Sequence, residues 1–242
     1  MKILITHLGT IAQTLPATSI LYRIRDIMPN SSITWVVPDE KYLSIFKYNK
    51  RIDKVLLFDE LKEKKEEYDV LINLHPFFPH KECPNVKIKN SFDFNFNGEN
   101  KDFKNVLIGN KKIPYMNVFQ MYYKMIGLTW KGEGYNIKYY PKTKSKNNRI
   151  GLALANANLR NYIVDKLNIN KKLWHVPYKN NILRRMDEIN RCKKIITDDM
   201  VTFHLSLNLK KYVYYMETIP SNMKLELFNS GEVHFVPKWV IN

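Results

Sequence analysis

The first seventy-five residues repeat one pattern: a short apolar run, a turn, an amphipathic stretch, then another apolar run. Residues 2–6 are apolar and β-branched without polar alternation, as in a strand buried on both faces. Ile20, Leu21, Ile24, Ile27 and Met28 recur at helical spacing over residues 18–28, and Pro29-Asn30 ends that helix. The pattern then predicts a strand over 32–37, a short helix over 41–48, and a strand over 54–58. A charged helix over 61–68 and a strand over 69–74 complete it. Alternating strands and helices need crossover connections, so they imply a parallel, doubly wound sheet.

Residues 81–112 are irregular, with a short strand expected at 106–108. A helix is expected over 115–126, stopped by Gly127. The basic run 142–148 reads as a linker or an ordinary surface loop. Beyond it the pattern restarts. Strands are expected at 149–155, 173–176, 194–197 and 211–216, with helices at 182–192 and 201–207. The expected fold class is therefore α/β, two Rossmann-like domains facing a cleft. Their expected bounds are 1–141 and 149–242, joined by the linker 142–148.

Composition narrows the function. Hydrophobic residues make up 45% and aromatics 13%, enough to build cores and to exclude a disordered tail. The apolar runs are far short of the roughly 20 residues that span a bilayer, and the N-terminal one is too short for a signal peptide. The expected location is the cytoplasm, with peripheral contact to the inner membrane admitted. Cys83 and Cys192 are too few for a disulfide framework, and no C-x-x-C or H-E-x-x-H spacing points to a metal. The net charge of +16 favours an anionic partner: nucleic acid, a phosphorylated glycolipid, a membrane face or a sugar nucleotide. The plain alternative is a solubility device.

Open α/β sheets bind ligands beyond strand C-termini. The first such turn reads His7-Leu8-Gly9-Thr10-Ile11-Ala12-Gln13. A lone Gly9 is not G-x-G-x-x-G, which disfavours NAD, and neither a P-loop nor G-x-S-x-G occurs. Four segments in order carry a resemblance: Leu8-Gly9-Thr10-Ile11-Ala12-Gln13, Arg51-Ile52-Asp53-Lys54-Val55, Tyr68-Asp69-Val70-Leu71-Ile72-Asn73-Leu74-His75, and Asp198-Asp199-Met200-Val201-Thr202-Phe203-His204-Leu205. Together they resemble the heptosyltransferase-like family of glycosyltransferases, glycosyltransferase family 9, which builds lipopolysaccharide cores. The helix over 118–127 also fits. The resemblance implies a GT-B fold in a short form, a nucleotide-sugar donor as substrate, and no other cofactor. It places the family's catalytic aspartate on Gln13, and the Thr-Gly of its donor-site signature on Met200-Val201.

These departures bear on activity. A carboxamide cannot act as a general base. Val201 would crowd a pyrophosphate where glycine admits it. His7 and His75, each ending a strand, are candidate replacement bases; each also reads as a polar strand-end cap. Asp199 and His204 fall in the donor signature, where the alternatives are a helix N-cap and a packing histidine. Gly9 and Thr10 line the first turn. Asn156, Asn158 and Arg160 end the second domain's first strand and could hold a diphosphate, or form an Asn-rich turn.

The expected function is metal-independent inverting transfer of a sugar to an anionic acceptor, a lipopolysaccharide core sugar before others. Interleaved lysines and aromatics also suit DNA bearing a hydroxylated base, which keeps a phage-type DNA glycosyltransferase open. A sugar-nucleotide-binding protein without turnover is the other alternative.

Overall fold

The computed structural model describes residues 1–74, 82–93, 118–167, 173–177, 181–217 and 233–237. The chain divides into two compact units, one formed mainly by Met1–Lys138 and the other by Tyr139–Asn222 with the C-terminal residues.

The first unit holds strands β1 (Lys2–Thr6), β2 (Ser32–Val37), β3 (Lys54–Leu57), β4 (Glu67–Asn73) and β5 (Lys87–Asp93). They form a parallel sheet in the order β3-β2-β1-β4-β5. Chain direction across the sheet reverses between β1 and β4, the topological switch point. Ile3, Leu4 and Ile5 of the central β1 are fully buried, which requires cover on both faces. One face packs Leu4, Val36, Leu56, Leu61, Tyr68, Leu71 and Cys83 into a single cluster. The helices are α1 (Ile11–Ala17), α2 (Ile20–Ile27), α3 (Leu43–Phe46), α4 (Phe58–Lys62) and α5 (Val118–Met125).

The second unit holds β6 (Lys146–Ala153), β7 (Leu173–His175), β8 (Cys192–Thr197), β9 (Tyr212–Glu217) and β10 (Val233–Pro237). They too are parallel, in the order β10-β9-β8-β6-β7, with the switch point between β6 and β8. Helices α6 (Ala157–Leu167), α7 (Ile182–Asn190) and α8 (Met200–Asn208) belong to it. Leu152, Leu154, Ile163, Ile196 and Met216 form its core cluster.

Several local expectations are corrected. The helix expected over 18–28 begins at Ile20 as α2 and is preceded by another, α1, which holds Pro16 within it and ends at Ala17. The charged helix expected over 61–68 is the shorter α4, and β4 already begins at Glu67. Residues 87–93, read as loop, form β5. It is an edge strand whose lysines and asparagine hide its alternation, while Ile88 packs on the core. Residues 146–148, expected in the linker, already belong to β6. Residues 157–160, read as a turn, open α6. The strand expected at 106–108 lies outside the described residues, as do His75 and residues 115–117 of the expected helix. Among the described residues no helix is long and apolar enough to cross a membrane.

Candidate functional site

In the first unit, polar residues gather where β1 and β4 end. Thr6 Oγ1 donates to Asn73 Oδ1 at 3.0 Å, and Leu74 N to Thr6 O at 2.9 Å, so the two strand ends are tied together. The turn that follows is held by three hydrogen bonds. Tyr42 Oη donates to Gly9 O at 2.8 Å. Thr10 caps α1, taking Gln13 N on its Oγ1 at 3.4 Å, while Thr10 N donates to Gln13 Oε1 at 2.9 Å. That reciprocal pair is a capping box and satisfies backbone N–H groups a short helix leaves open. Gly9 is buried; Thr10 and Gln13 are exposed. Gln13 thus presents an exposed face at the switch point, but its carboxamide oxygen is already engaged.

His7 sits behind this turn and is 1% exposed. Its Nδ1 lies 3.0 Å from Thr14 Oγ1 and its Nε2 3.1 Å from Tyr122 Oη. Both hydroxyls also meet backbone carbonyls: Thr14 Oγ1 donates to Thr10 O at 3.0 Å, and Tyr122 Oη to Gln13 O at 2.9 Å. His7 therefore joins β1, α1 and α5 through a buried polar network. Burial also pushes the Tyr122 phenol up, which keeps it protonated. Sequence reasoning did not single out Thr14 or Tyr122. Only the i,i+7 spacing of His7 and Thr14 across a turn hinted at the first, and nothing local announced the second, 115 residues away.

In the second unit the ends of β6 and β8 are joined by Asp198. Its carboxylate accepts Ala155 N at 2.9 Å and Asn156 N at 3.3 Å. Asn156 caps α6, taking Leu159 N on Oδ1 at 3.1 Å. Three N–H groups at this turn therefore already have acceptors from the chain. Asn158 and Arg160 are exposed on the first turn of α6. The positive end of an eleven-residue helix, with a guanidinium beside it, suits a phosphate.

Asp199 is the N-cap of α8. Its Oδ2 accepts from Thr202 N at 2.8 Å, from Thr202 Oγ1 at 2.6 Å and from Arg185 Nη1 at 2.7 Å. Burial lowers the Arg185 pKa, against the opposing pull of Asp199. Met200 and Val201 are half-buried at the start of α8. His204, one turn on, is 4% exposed, packed edge-on to Phe203, and burial lowers its pKa to about 3. It is a neutral ring inside the second unit. The structure thus brings Asn156 and the Asp198–Asp199 pair together at the switch point and places His204 in the packing beneath. Asp198, quoted in the sequence only as part of the donor-like segment, is the tie between the ends of β6 and β8; Arg185 goes unnamed there because it lies in α7, where no local motif links it to Asp199.

No protein-family profile and no curated protein matches the sequence. Solved structures do match the fold. A family 9 glycosyltransferase from Veillonella parvula superposes over 99% of this chain and 86% of its own, with TM-score 0.66 and 15% identity. The fold is GT-B. Two further GT-B structures from E. coli agree, each at 12% identity. Heptosyltransferase WaaC with ADP covers 98% of this chain and 94% of its own, TM-score 0.65. ADP-heptose lipopolysaccharide heptosyltransferase II covers 97% and 92%, TM-score 0.63. At such identities the GT-B likeness concerns the path of the chain.

Proposed function

We propose that this protein is a metal-independent inverting glycosyltransferase. It would move a sugar from a nucleotide-sugar donor to an anionic acceptor, with a lipopolysaccharide core sugar as the favoured acceptor. The observation that supports this best is the gathering of exposed polar groups at the switch point of each sheet, where open α/β sheets take their ligands. The fold likeness adds weight, since one neighbour was solved with ADP-2-deoxy-2-fluoro heptose.

In this reading the donor diphosphate lies at the start of α6. The helix dipole and Arg160 offset the charge that develops as the leaving group departs. The acceptor lies along Gly9–Gln13. Its hydroxyl oxygen attacks the anomeric carbon from the face opposite the diphosphate, the glycosidic C–O bond to phosphate breaks, and configuration inverts. The hydroxyl proton passes to a base. Gln13 has no titrating group. His7, with both ring nitrogens engaged and the ring buried, serves to hold the turn. His75, which follows β4 by two residues, is the proposed base.

Incubation of the protein with a panel of nucleotide sugars and a core oligosaccharide, followed by mass spectrometry, tests this reading. It requires a mass gain of one sugar on the oligosaccharide, insensitive to chelators. Hydroxymethylated DNA belongs in the same panel. Sugar on DNA alone would replace the acceptor assignment. A second reading, a binding protein without turnover, draws on the Gln13 carboxamide held in its capping box. Donors bound but never consumed with any acceptor would select it.

A further inference from the structure

The two sheets differ in how the N-terminal ends of their strands carry charge. In the first unit the cations there are largely paired. Lys89 Nζ lies 2.8 Å from Asp69 and 3.3 Å from Glu67, Lys54 and Lys64 lie 3.8 and 3.7 Å from Glu66, and Arg25 lies 2.7 Å from Asp53. In the second unit Lys142, Lys144, Lys146, Lys193, Lys194 and Lys210 are all exposed. Among the described residues the ion pairs of that unit are Arg185–Asp199 and Arg191–Glu188, so none of the six lysines has a carboxylate partner.

These lysines share one end of the fold. Lys146 pairs in register with Cys192, and its N–H donates to Arg191 O at 3.1 Å. Lys194 pairs with Tyr212, which opens β9 just after Lys210. Lys142 N and Thr143 Oγ1 donate to Asp187 at 2.8 and 2.6 Å, which fastens this segment against the end of α7 that feeds β8. The two nearby acids are occupied. Asp187 also accepts from Tyr139 Oη, and Glu188 accepts from Trp174 Nε1 while pairing with Arg191. Two phenols stand among the lysines: Tyr140 is 88% exposed and Tyr212 39%.

We propose that this end of the second unit docks the protein on an anionic lipid bilayer. Unpaired lysines are compact, hydrated point charges, suited to the diffuse field of a charged leaflet. Exposed tyrosines suit the interfacial zone, with the ring in the apolar margin and the hydroxyl in water. Two arginines near this end, whose planar forks would grip nucleic-acid phosphates or guanines, instead lie over Trp174, with Arg149 at 4.2 Å and Arg191 at 5.6 Å from the ring centre. The docking does not rest on glycosyl transfer, and its test reads no activity.

Co-sedimentation with phosphatidylcholine vesicles, with and without phosphatidylglycerol, is that test. Binding is expected only to the anionic vesicles, with release near about 1 M salt, where the Debye length falls to roughly 3 Å. Replacing Lys144, Lys146 and Lys193 by glutamate is expected to weaken binding about 100-fold or more, at roughly five-fold for each lysine lost before counting the repulsion of the new charge. Lys89→Gln, on the paired end of the first sheet, is expected to change it by less than about two-fold. Tyr140→Ala is expected to weaken binding at unchanged thermal stability, which keeps the test decisive if the triple variant folds poorly. Wild-type binding by the triple variant, or by Tyr140→Ala where the triple variant does not fold, overturns the proposal. So does displacement of the vesicles by duplex DNA at equal charge concentration, which assigns the surface to nucleic acid instead.

Discussion

Arg185 Nη1 donates to Asp199 Oδ2 at 2.7 Å, and the same carboxylate oxygen caps α8 through Thr202. The Arg185 side chain is 8% exposed and that of Asp199 24%, and Arg185 Nε has no hydrogen-bond partner. Removing either partner leaves the other with an uncompensated, partly desolvated charge. Asp199→Ala loses both the cap and the pair, and is expected to destabilise the second unit by about 3–5 kcal/mol. Asp199→Asn keeps a capping oxygen and should cost less. Urea unfolding followed by circular dichroism orders the three proteins. Equal midpoints for the wild type and Asp199→Ala would show that the pair contributes nothing to stability.

His204 makes stability depend on pH. Burial lowers its pKa from the ordinary 6.5 to about 3, so the folded chain keeps the ring neutral where the unfolded chain protonates it. Stability from this group is complete above about pH 6.5 and is lost as pH falls toward 3, by roughly 1.4 kcal/mol per pH unit. Other groups titrate in that range as well, so the comparison is with His204→Gln, whose stability should fall less steeply between pH 6.5 and 4.5. Parallel slopes would contradict a buried, neutral His204.

Gly151 in β6 has no room for a side chain. A Cβ there would lie 2.6 Å from Ile195 Cδ1, 3.1 Å from Cys192 Sγ and 3.1 Å from Val176 Cγ2. Gly151→Ala is therefore expected to destabilise by about 1–3 kcal/mol through overpacking, despite the better strand propensity of alanine. The double variant with Ile195→Val, which shortens the side chain nearest the new methyl, should recover part of that loss in thermal melts.

The parallel sheets were legible because strands such as Ile3-Leu4-Ile5 and Trp35-Val36-Val37 are apolar without a break, as burial on both faces demands. What escaped the reading was polar or broken. Strand β5 sits at a sheet edge, and its sequence of Lys, Asn and Ser reads as loop. Helix α1 holds Pro16, a residue that argues against a helix in sequence, although the spacing of Thr10 and Gln13 is that of a capping box and announces a helix start. Helix α6 follows Asn156, whose capping role was read as a turn. At the candidate site, residues next to strand ends could be named from order alone. Their partners Tyr122 and Arg185 could not, since those contacts span 115 and 14 residues and depend on which elements become neighbours.

His7 and His75 should separate in their effects. His7→Ala removes a ring that bridges Thr14 and Tyr122 in the interior, and is expected to cost about 1–3 kcal/mol of stability. His75→Ala is expected to lower turnover by about 100-fold or more without moving the melting temperature, the usual scale of a lost general base. Single-turnover rates and thermal melts on both variants check this. Full activity in His75→Ala removes it as the base.

Titration calorimetry of the intact protein against nucleoside diphosphates and nucleotide sugars tests the central claim most directly. The account predicts saturable binding of at least one such ligand, weakened by about ten-fold or more in Arg160→Ala, as expected when a charge-assisted phosphate contact is lost. No binding of any nucleotide or nucleotide sugar at millimolar concentration would contradict it.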